Sequence, residues 1–218
     1  EIEVFSNEYI CKILKLILGE KPKIVQSMYF EGNSATWEHQ DTYYLDSEKI
    51  GKMAAGWLAL EEIKADAGRF FICPESHKID LDKQNMENNY ASNHDKYIQE
   101  IVSIIKKKNM SIKAPYMSAG DILFWNSKTI HGSLNSQSET NSRSSITLHA
   151  IPETHKLLQF QWRIRDLDFD DLGNSLIHRP KDQSKFVNKL IFFFESNFPL
   201  FFYLTKNIAI KSLFKKKN

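Results

Sequence analysis

The sequence holds only two cysteines, Cys11 and Cys73, among 218 residues. Two isolated thiols exclude a disulfide scaffold and a structural zinc site, and they fit a reducing compartment. Charge of one sign is scarce as well. The formal net charge is +2, and much of the visible excess sits in Lys106-Lys107-Lys108 and Lys215-Lys216-Lys217. A nucleic-acid enzyme shows a broader basic face interleaved with aromatics, so no nucleic-acid partner is expected. No apolar run reaches the roughly eighteen uninterrupted residues of a membrane span. The nearest approach is broken by Glu195, Asn197 and Pro199. A signal-peptide pattern is missing, and the chain opens at Glu1 without an initiator methionine, as a trimmed chain or a fragment would. These absences favour a cytoplasmic protein, peripheral to a membrane at most.

Apolar side chains make up 42% of the sequence, enough to bury a sizeable core in one domain with an appendage. Residues 7–18 carry apolar side chains at helical intervals and end at Gly19. Residues 23–30, 56–63, 69–73, 122–125 and 144–151 read as strands, bounded by glycine-bearing turns such as Ala119-Gly120-Asp121. Residues 95–108 read as a helix with Tyr97, Ile101, Ile104 and Ile105 along one stripe. Short strands with only local helices favour a mainly β double-sheet roll over a parallel βαβ sheet. Past Pro152 the pattern changes. A core over residues 1–152 is expected, followed by a C-terminal extension over 153–218. That extension reads as partly helical, packed on the core or peripheral. Its aromatic stretch, residues 186–214, suits packing against the roll, or else weak contact with a membrane or another protein.

The chemistry-bearing residues lie in Trp37-Glu38-His39-Gln40-Asp41 and His131-Gly132-Ser133. In an extended segment His39 and Asp41 project to one face, since strand side chains alternate with a period of two. With His131 they form a complete set of two imidazoles and one carboxylate. On an octahedral Fe(II) this set leaves three positions open, which oxygen chemistry requires. Arg143 begins a strand twelve residues beyond His131 and suits the carboxylate of a second substrate, because its rigid fork binds both oxygens at once. Zinc also accepts two histidines and a carboxylate, but the usual pair of histidines four apart on a helix is absent, and zinc leaves Arg143 without a role. The remaining histidines, His77, His94, His149, His155 and His178, are widely spaced and read as surface or core residues. The cluster Asp166, Asp168, Asp170, Asp171 reads as a charged loop, since it lacks the glycine and glutamate of a calcium loop.

Five stretches in order, WEHQDTYY (37–44), GWLALEE (56–62), GRFFICPESHK (68–78), AGDILFW (119–125) and HGSLNSQSETNSR (131–143), resemble the phytanoyl-CoA dioxygenase family of Fe(II)/2-oxoglutarate-dependent oxygenases. The resemblance covers residues 24–151. It implies a double-stranded β-helix (jelly-roll) core, Fe(II) held by His39, Asp41 and His131, and 2-oxoglutarate and O2 as cosubstrates. It further implies that Trp57 lies beside 2-oxoglutarate, that Ser133 and Arg143 hold its distal carboxylate, and that Gln26 contacts the same cosubstrate. Asp41 stands where halide-using relatives carry a small residue, so hydroxylation is implied rather than halogenation. Two departures stand out. Only thirty-eight residues precede the His-x-Asp motif, so either an N-terminal part was removed or the sheet is abbreviated. The family's proline-glycine-serine-histidine turn appears as Pro74-Glu75-Ser76-His77, without its glycine.

The expected function is hydroxylation of an aliphatic C–H bond of a small molecule. Tyr43, Tyr44, Phe30, Trp37 and Trp125 are candidates for the substrate pocket, and the polar residues 80–93 for a lid or a solvated excursion. Two alternatives stay open: a cupin-like metal-binding scaffold without catalysis, and a non-haem iron oxygenase independent of 2-oxoglutarate.

Overall fold

A computed structural model of the chain describes residues 2–32, 35–79, 94–161, 163–178, 185–198, 200–202, 204–206 and 208. The candidate lid at residues 80–93 lies outside the described residues. Helices α1 (Ile2–Phe5) and α2 (Glu8–Leu18) open the chain. Helix α2 begins where the Asn7 side chain accepts the Tyr9 and Ile10 amide hydrogens at 3.0 and 3.3 Å, and ends at Gly19 with φ 79°. The strands are β1 (Pro22–Phe30), β2 (Leu45–Ser47), β3 (Ala54–Ala59), β4 (Phe70–Ile72), β5 (Ile122–Asn126), β6 (His131–Ser133), β7 (Ser145–Pro152), β8 (Leu157–Gln159), β9 (Arg163–Arg165), β10 (Phe169–Asp171) and β11 (Leu176–His178). Helix α3 (His94–Lys107) lies between β4 and β5, and α4 (Phe186–Asn197) follows β11.

The main sheet has the order β10-β11-β1-β7-β3-β5. Its pairings are antiparallel except for β11 beside β1, which is parallel. A smaller β4-β6 pair is extended by isolated bridges from His39 to His131 and from Ile72 to Lys113. Apolar contacts explain the layering. Leu14 of α2 packs with Ile24, Ile146 and Leu148 on one face of the main sheet. Trp57 and Trp125 of that sheet meet Phe70 of β4, while Tyr97, Ile101 and Ile104 of α3 pack on Phe71 and Ile130. Each large side chain so buried contributes roughly 1.5–3 kcal/mol.

One expectation changes. Helix and strand content are near balance rather than mainly β, because seven of the strands are only three residues long and the sheets do not close into a barrel. The first compact unit runs to residue 178, where β8 and β9 pair with β2 while β10 and β11 extend the main sheet. The outer edge of β1 is therefore occupied by a strand from the C-terminal side, which removes an exposed row of backbone donors and acceptors. The turn that lacks its glycine keeps the glycine conformation: Glu75 has φ 66°. A left-handed non-glycine residue costs about 1–2 kcal/mol.

The second compact unit, residues 179–218, contains α4, none of whose described side chains is buried. No helix among the described residues is long and apolar enough to cross a membrane.

Candidate metal centre

The His-x-Asp segment is extended without belonging to a sheet ladder. Gln40 has φ −109° and ψ 136°, after which the backbone turns into a single 3-10 turn over Asp41–Tyr43. The alternation expected of a strand therefore survives at the three residues where it matters. One bridge joins the two halves of the motif: the His39 and His131 amides each donate to the other's carbonyl at 2.9 Å. Ninety-two positions of sequence separation are thereby closed into direct opposition, with the imidazole centroids 4.2 Å apart. Gly132 follows because a side chain there would meet the Thr36 carbonyl oxygen at 3.0 Å and the Phe71 ring at 3.1 Å.

Without a ladder, Gln40 depends on side chains. The buried Tyr97 hydroxyl accepts the Gln40 amide hydrogen at 2.8 Å and donates to the Gln40 carbonyl at 3.2 Å. The Gln40 side chain turns away from the cavity and donates to the Lys128 carbonyl. Tyr97 is itself stacked on Tyr43, with centroids 3.9 Å apart.

Each proposed ligand has one polar atom secured elsewhere and the other aimed at a common point. His39 Nδ1 lies 2.7 Å from the Trp37 carbonyl and His131 Nδ1 2.9 Å from the Thr129 carbonyl, so in each ring Nε2 faces inward. The Trp125 indole donates to Asp41 Oδ2 at 2.8 Å. Asp41 Oδ1 then lies 3.7 Å from His39 Nε2 and 3.4 Å from His131 Nε2. One ligand atom from each of the three residues falls within 4.8 Å of the others. Burial opposes ionisation of Asp41, yet the imidazoles of His131 and His149 outweigh it and hold the carboxyl well below its usual range.

A cavity of about 360 Å³ opens beside these atoms and is lined by Gln26, Trp57, Arg143, Thr147 and His149 together with the three candidate ligands. Arg143 is buried, which draws its guanidinium pKa downward without discharging it. Gln26 faces the cavity because a register shift after Ile24 pairs it with His149. Ser133 does not line the cavity. Its hydroxyl accepts the Thr36 amide hydrogen at 2.7 Å and ties the start of the motif to β6. Of the pocket candidates, Phe30, Trp37, Tyr44 and Trp125 line the cavity, whereas Tyr43 is buried behind it. Burial pushes the Tyr44 phenol up to about 12, so it faces the cavity as a neutral group.

Two residues went unread in the sequence. Tyr97 figured only as part of an apolar stripe, and nothing in a helical period marks a hydroxyl that serves another segment's backbone. His149 had a usable signal: it shares parity with Arg143 and Thr147 in the strand that begins near Ser144, so all three face one side. Its Nε2 lies 3.4 Å from Asp41 Oδ1. His94, His155 and His178 are by contrast ordinary hydrogen-bonded histidines, partnered by Tyr44, Ser47 and the Asp168 carbonyl.

Comparison with known proteins agrees with this geometry. The family profile described as "Phytanoyl-CoA dioxygenase (PhyH)" matches residues 1–145. The phytanoyl-CoA dioxygenase domain-containing protein 1 homolog of Caenorhabditis briggsae is 26% identical over 157 residues, covering 66% of this chain and 52% of that protein. The phytanoyl-CoA dioxygenase domain-containing protein 1 of Danio rerio is 37% identical over 73 residues, covering 31% and 24%. The chain spans about half the length of the nematode relatives it matches. Among solved structures, the epimerase SnoN in complex with Fe3+, alpha ketoglutarate and nogalamycin RO superposes with TM-score 0.55 at 15% identity, covering 83% of this chain and 71% of that one. EctD from S. alaskensis with 2-oxoglutarate and 5-hydroxyectoine gives TM-score 0.56 at 15% identity, covering 72% and 54%.

Proposed function

The chain belongs to the phytanoyl-CoA dioxygenase family, and from that premise we propose that it is an Fe(II)/2-oxoglutarate-dependent dioxygenase hydroxylating an aliphatic C–H bond of a small organic molecule. One observation carries the reading: Nε2 of His39, Nε2 of His131 and Oδ1 of Asp41 converge, while Nδ1, Nδ1 and Oδ2 of the same residues are bonded away from the point of convergence. Two imidazoles and one carboxylate oxygen are the donor set that suits Fe(II) with open positions, and groups secured behind the ligands are what such a site needs to keep its orientation. The two-sheet core is read as a double-stranded β-helix of jelly-roll type carrying this site.

His39, Asp41 and His131 would hold Fe(II). The chemistry supplied there with 2-oxoglutarate and O2 is hydroxylation of an unactivated C–H bond, coupled to conversion of 2-oxoglutarate into succinate and CO2. Arg143 binds the distal carboxylate as a permanently charged, planar fork. Trp57, stacked on Phe70 with centroids 5.5 Å apart, forms a rigid wall beside it. Gln26 adds a neutral amide from β1. Ser133 acts indirectly, through its bond to Thr36, which does line the cavity.

The cavity also bounds the substrate. About 360 Å³ lies at the small end of ligand pockets. Beyond the ligands, Arg143 and His149, its described walls are Met28, Phe30, Trp37, Tyr44, Leu45 and neighbouring uncharged residues. Such a lining suits a small, largely apolar, uncharged molecule. Among the described residues it offers no second permanent cation for a phosphate-bearing carrier. A cytoplasmic location belongs to the same proposal. So does weak membrane or protein contact through residues 186–214, which the unburied side chains Phe192, Phe193 and Phe194 support.

Oxygen uptake tests the reading. Anaerobically purified protein supplied with Fe(II) and 2-oxoglutarate is expected to consume O2 slowly and release succinate, and Arg143→Ala to lose both. Oxygen uptake indifferent to 2-oxoglutarate would favour an independent non-haem oxygenase, and failure to bind metal or cosubstrate would favour a scaffold.

A further inference from the structure

Of the seven histidines in the chain, five have a ring nitrogen bonded to a named partner. His77 lies on an exposed surface turn. His149 differs from all of these. It is 2% exposed, its Nδ1 has no hydrogen-bond partner, and its Nε2 makes only a long, poorly aligned approach to Asp41. Buried imidazoles are rarely left so, because water no longer solvates either nitrogen. The ring also lines the cavity, and its Nε2 reaches within 3.4 Å of the Asp41 oxygen that faces the metal position.

We propose that His149 is a cosubstrate-positioning residue: its Nε2 hydrogen-bonds the metal-proximal carboxylate of the bound 2-oxo acid and fixes which way that acid chelates. This rests on the oxygenase reading above. Three observations place the contact on the cosubstrate rather than on the metal. His149 does not join the set of mutually close ligand atoms formed by His39, Asp41 and His131. Its side chain lacks the carbonyl bond to Nδ1 that orients both of those imidazoles. It rises instead from β7, on the cavity wall that also carries Thr147 and is entered from Arg143, directly across from Gln26 of β1. A dicarboxylate held at one end by Arg143 and at the other beside Asp41 runs along that wall, bringing its inner carboxylate to His149. A fourth protein ligand would leave two positions on an octahedral metal. Those two are the number a chelating 2-oxo acid fills, leaving none for O2.

The test is equilibrium binding without oxygen, on the full chain. Fe(II) affinity and the affinity of the Fe(II)-loaded protein for 2-oxoglutarate are measured for wild type, His149→Leu and His149→Gln, with circular dichroism confirming that each is folded. Loss of one charge-assisted hydrogen bond predicts that His149→Leu weakens 2-oxoglutarate binding about tenfold or more while Fe(II) affinity changes less than about threefold. His149→Gln, whose amide reaches nearly as far, is expected to restore most of the 2-oxoglutarate affinity. If Fe(II) binding collapses in both variants, His149 is a ligand and the proposal fails. If neither affinity moves, the ring is packing and the proposal fails again. Should wild type bind Fe(II) but no 2-oxoglutarate, the oxygenase reading falls first and takes this one with it.

Discussion

The two walls of the cavity are built on different principles. The main-sheet wall, β1-β7-β3-β5, satisfies its backbone through a ladder and presents Thr147, His149 and Trp57 from regular strand positions, with Gln26 placed just after the one register shift in β1. The opposite wall holds the candidate ligands and has almost no ladder. It relies on the His39-His131 bridge, the β4-β6 pair and single side chains reaching in from elsewhere. Tyr97 serves the backbone of Gln40, Ser133 that of Thr36, and Ser76 that of Ile130, the last at 2.7 Å. A ladder spreads the cost of one lost contact over many bonds, whereas a side-chain strut does not. The wall that must place three ligand atoms within ångströms is therefore the one more exposed to single substitutions.

That contrast predicts a graded series of losses on the ligand wall. Asp41→Ala should have the largest effect, abolishing stoichiometric Fe(II) binding in equilibrium dialysis while leaving the chain folded. Trp125→Phe keeps an aromatic ring but deletes the donor to Asp41 Oδ2, and a drop of about 10–100-fold in Fe(II) affinity is expected, as for other groups that orient metal ligands. Tyr97→Phe keeps the stack on Tyr43 and removes both bonds to Gln40. It should lower unfolding free energy by about 1–3 kcal/mol in denaturant titrations and weaken Fe(II) binding as well. If Tyr97→Phe proves silent, the claim that this wall hangs on single side chains is lost. The smallest effect carries the opposite sign. Glu75→Gly relieves a left-handed backbone at φ 66° in the turn that feeds Ser76, and should add about 1 kcal/mol, or roughly 2–4 °C in thermal unfolding.

The same contrast governs what could be read in advance. The strand at 144–151 was legible because Ile146, Leu148 and Ala150 pack into the apolar core while Thr147 and His149 face the cavity, which imposes a period of two on the sequence. The His-x-Asp pair was legible although it lies outside any strand, since an extended Gln40 alone suffices to align its neighbours. The strands β8 to β11 were not. At three residues each they are too short to show alternation, and charged residues such as Arg163, Arg165, Asp170 and Asp171 occupy them, so the stretch resembles an extension rather than sheet. Ser133 shows a different limit. Its place in the motif points toward the cosubstrate, but spacing cannot reveal that its oxygen already accepts the Thr36 amide. His149 was hidden among five scattered histidines, although strand parity with Arg143 marked it.

The central claim is that His39, Asp41 and His131 hold a metal with positions left for a chelating 2-oxo acid anchored by Arg143. The most direct measurement is an anaerobic titration of the Fe(II)-loaded protein with 2-oxoglutarate, following the visible charge-transfer absorption of the chelate. The account predicts a band that saturates at one equivalent, is lost with Asp41→Ala and needs far more 2-oxoglutarate with Arg143→Ala. A protein that binds Fe(II) tightly yet shows no band at any 2-oxoglutarate concentration would contradict it.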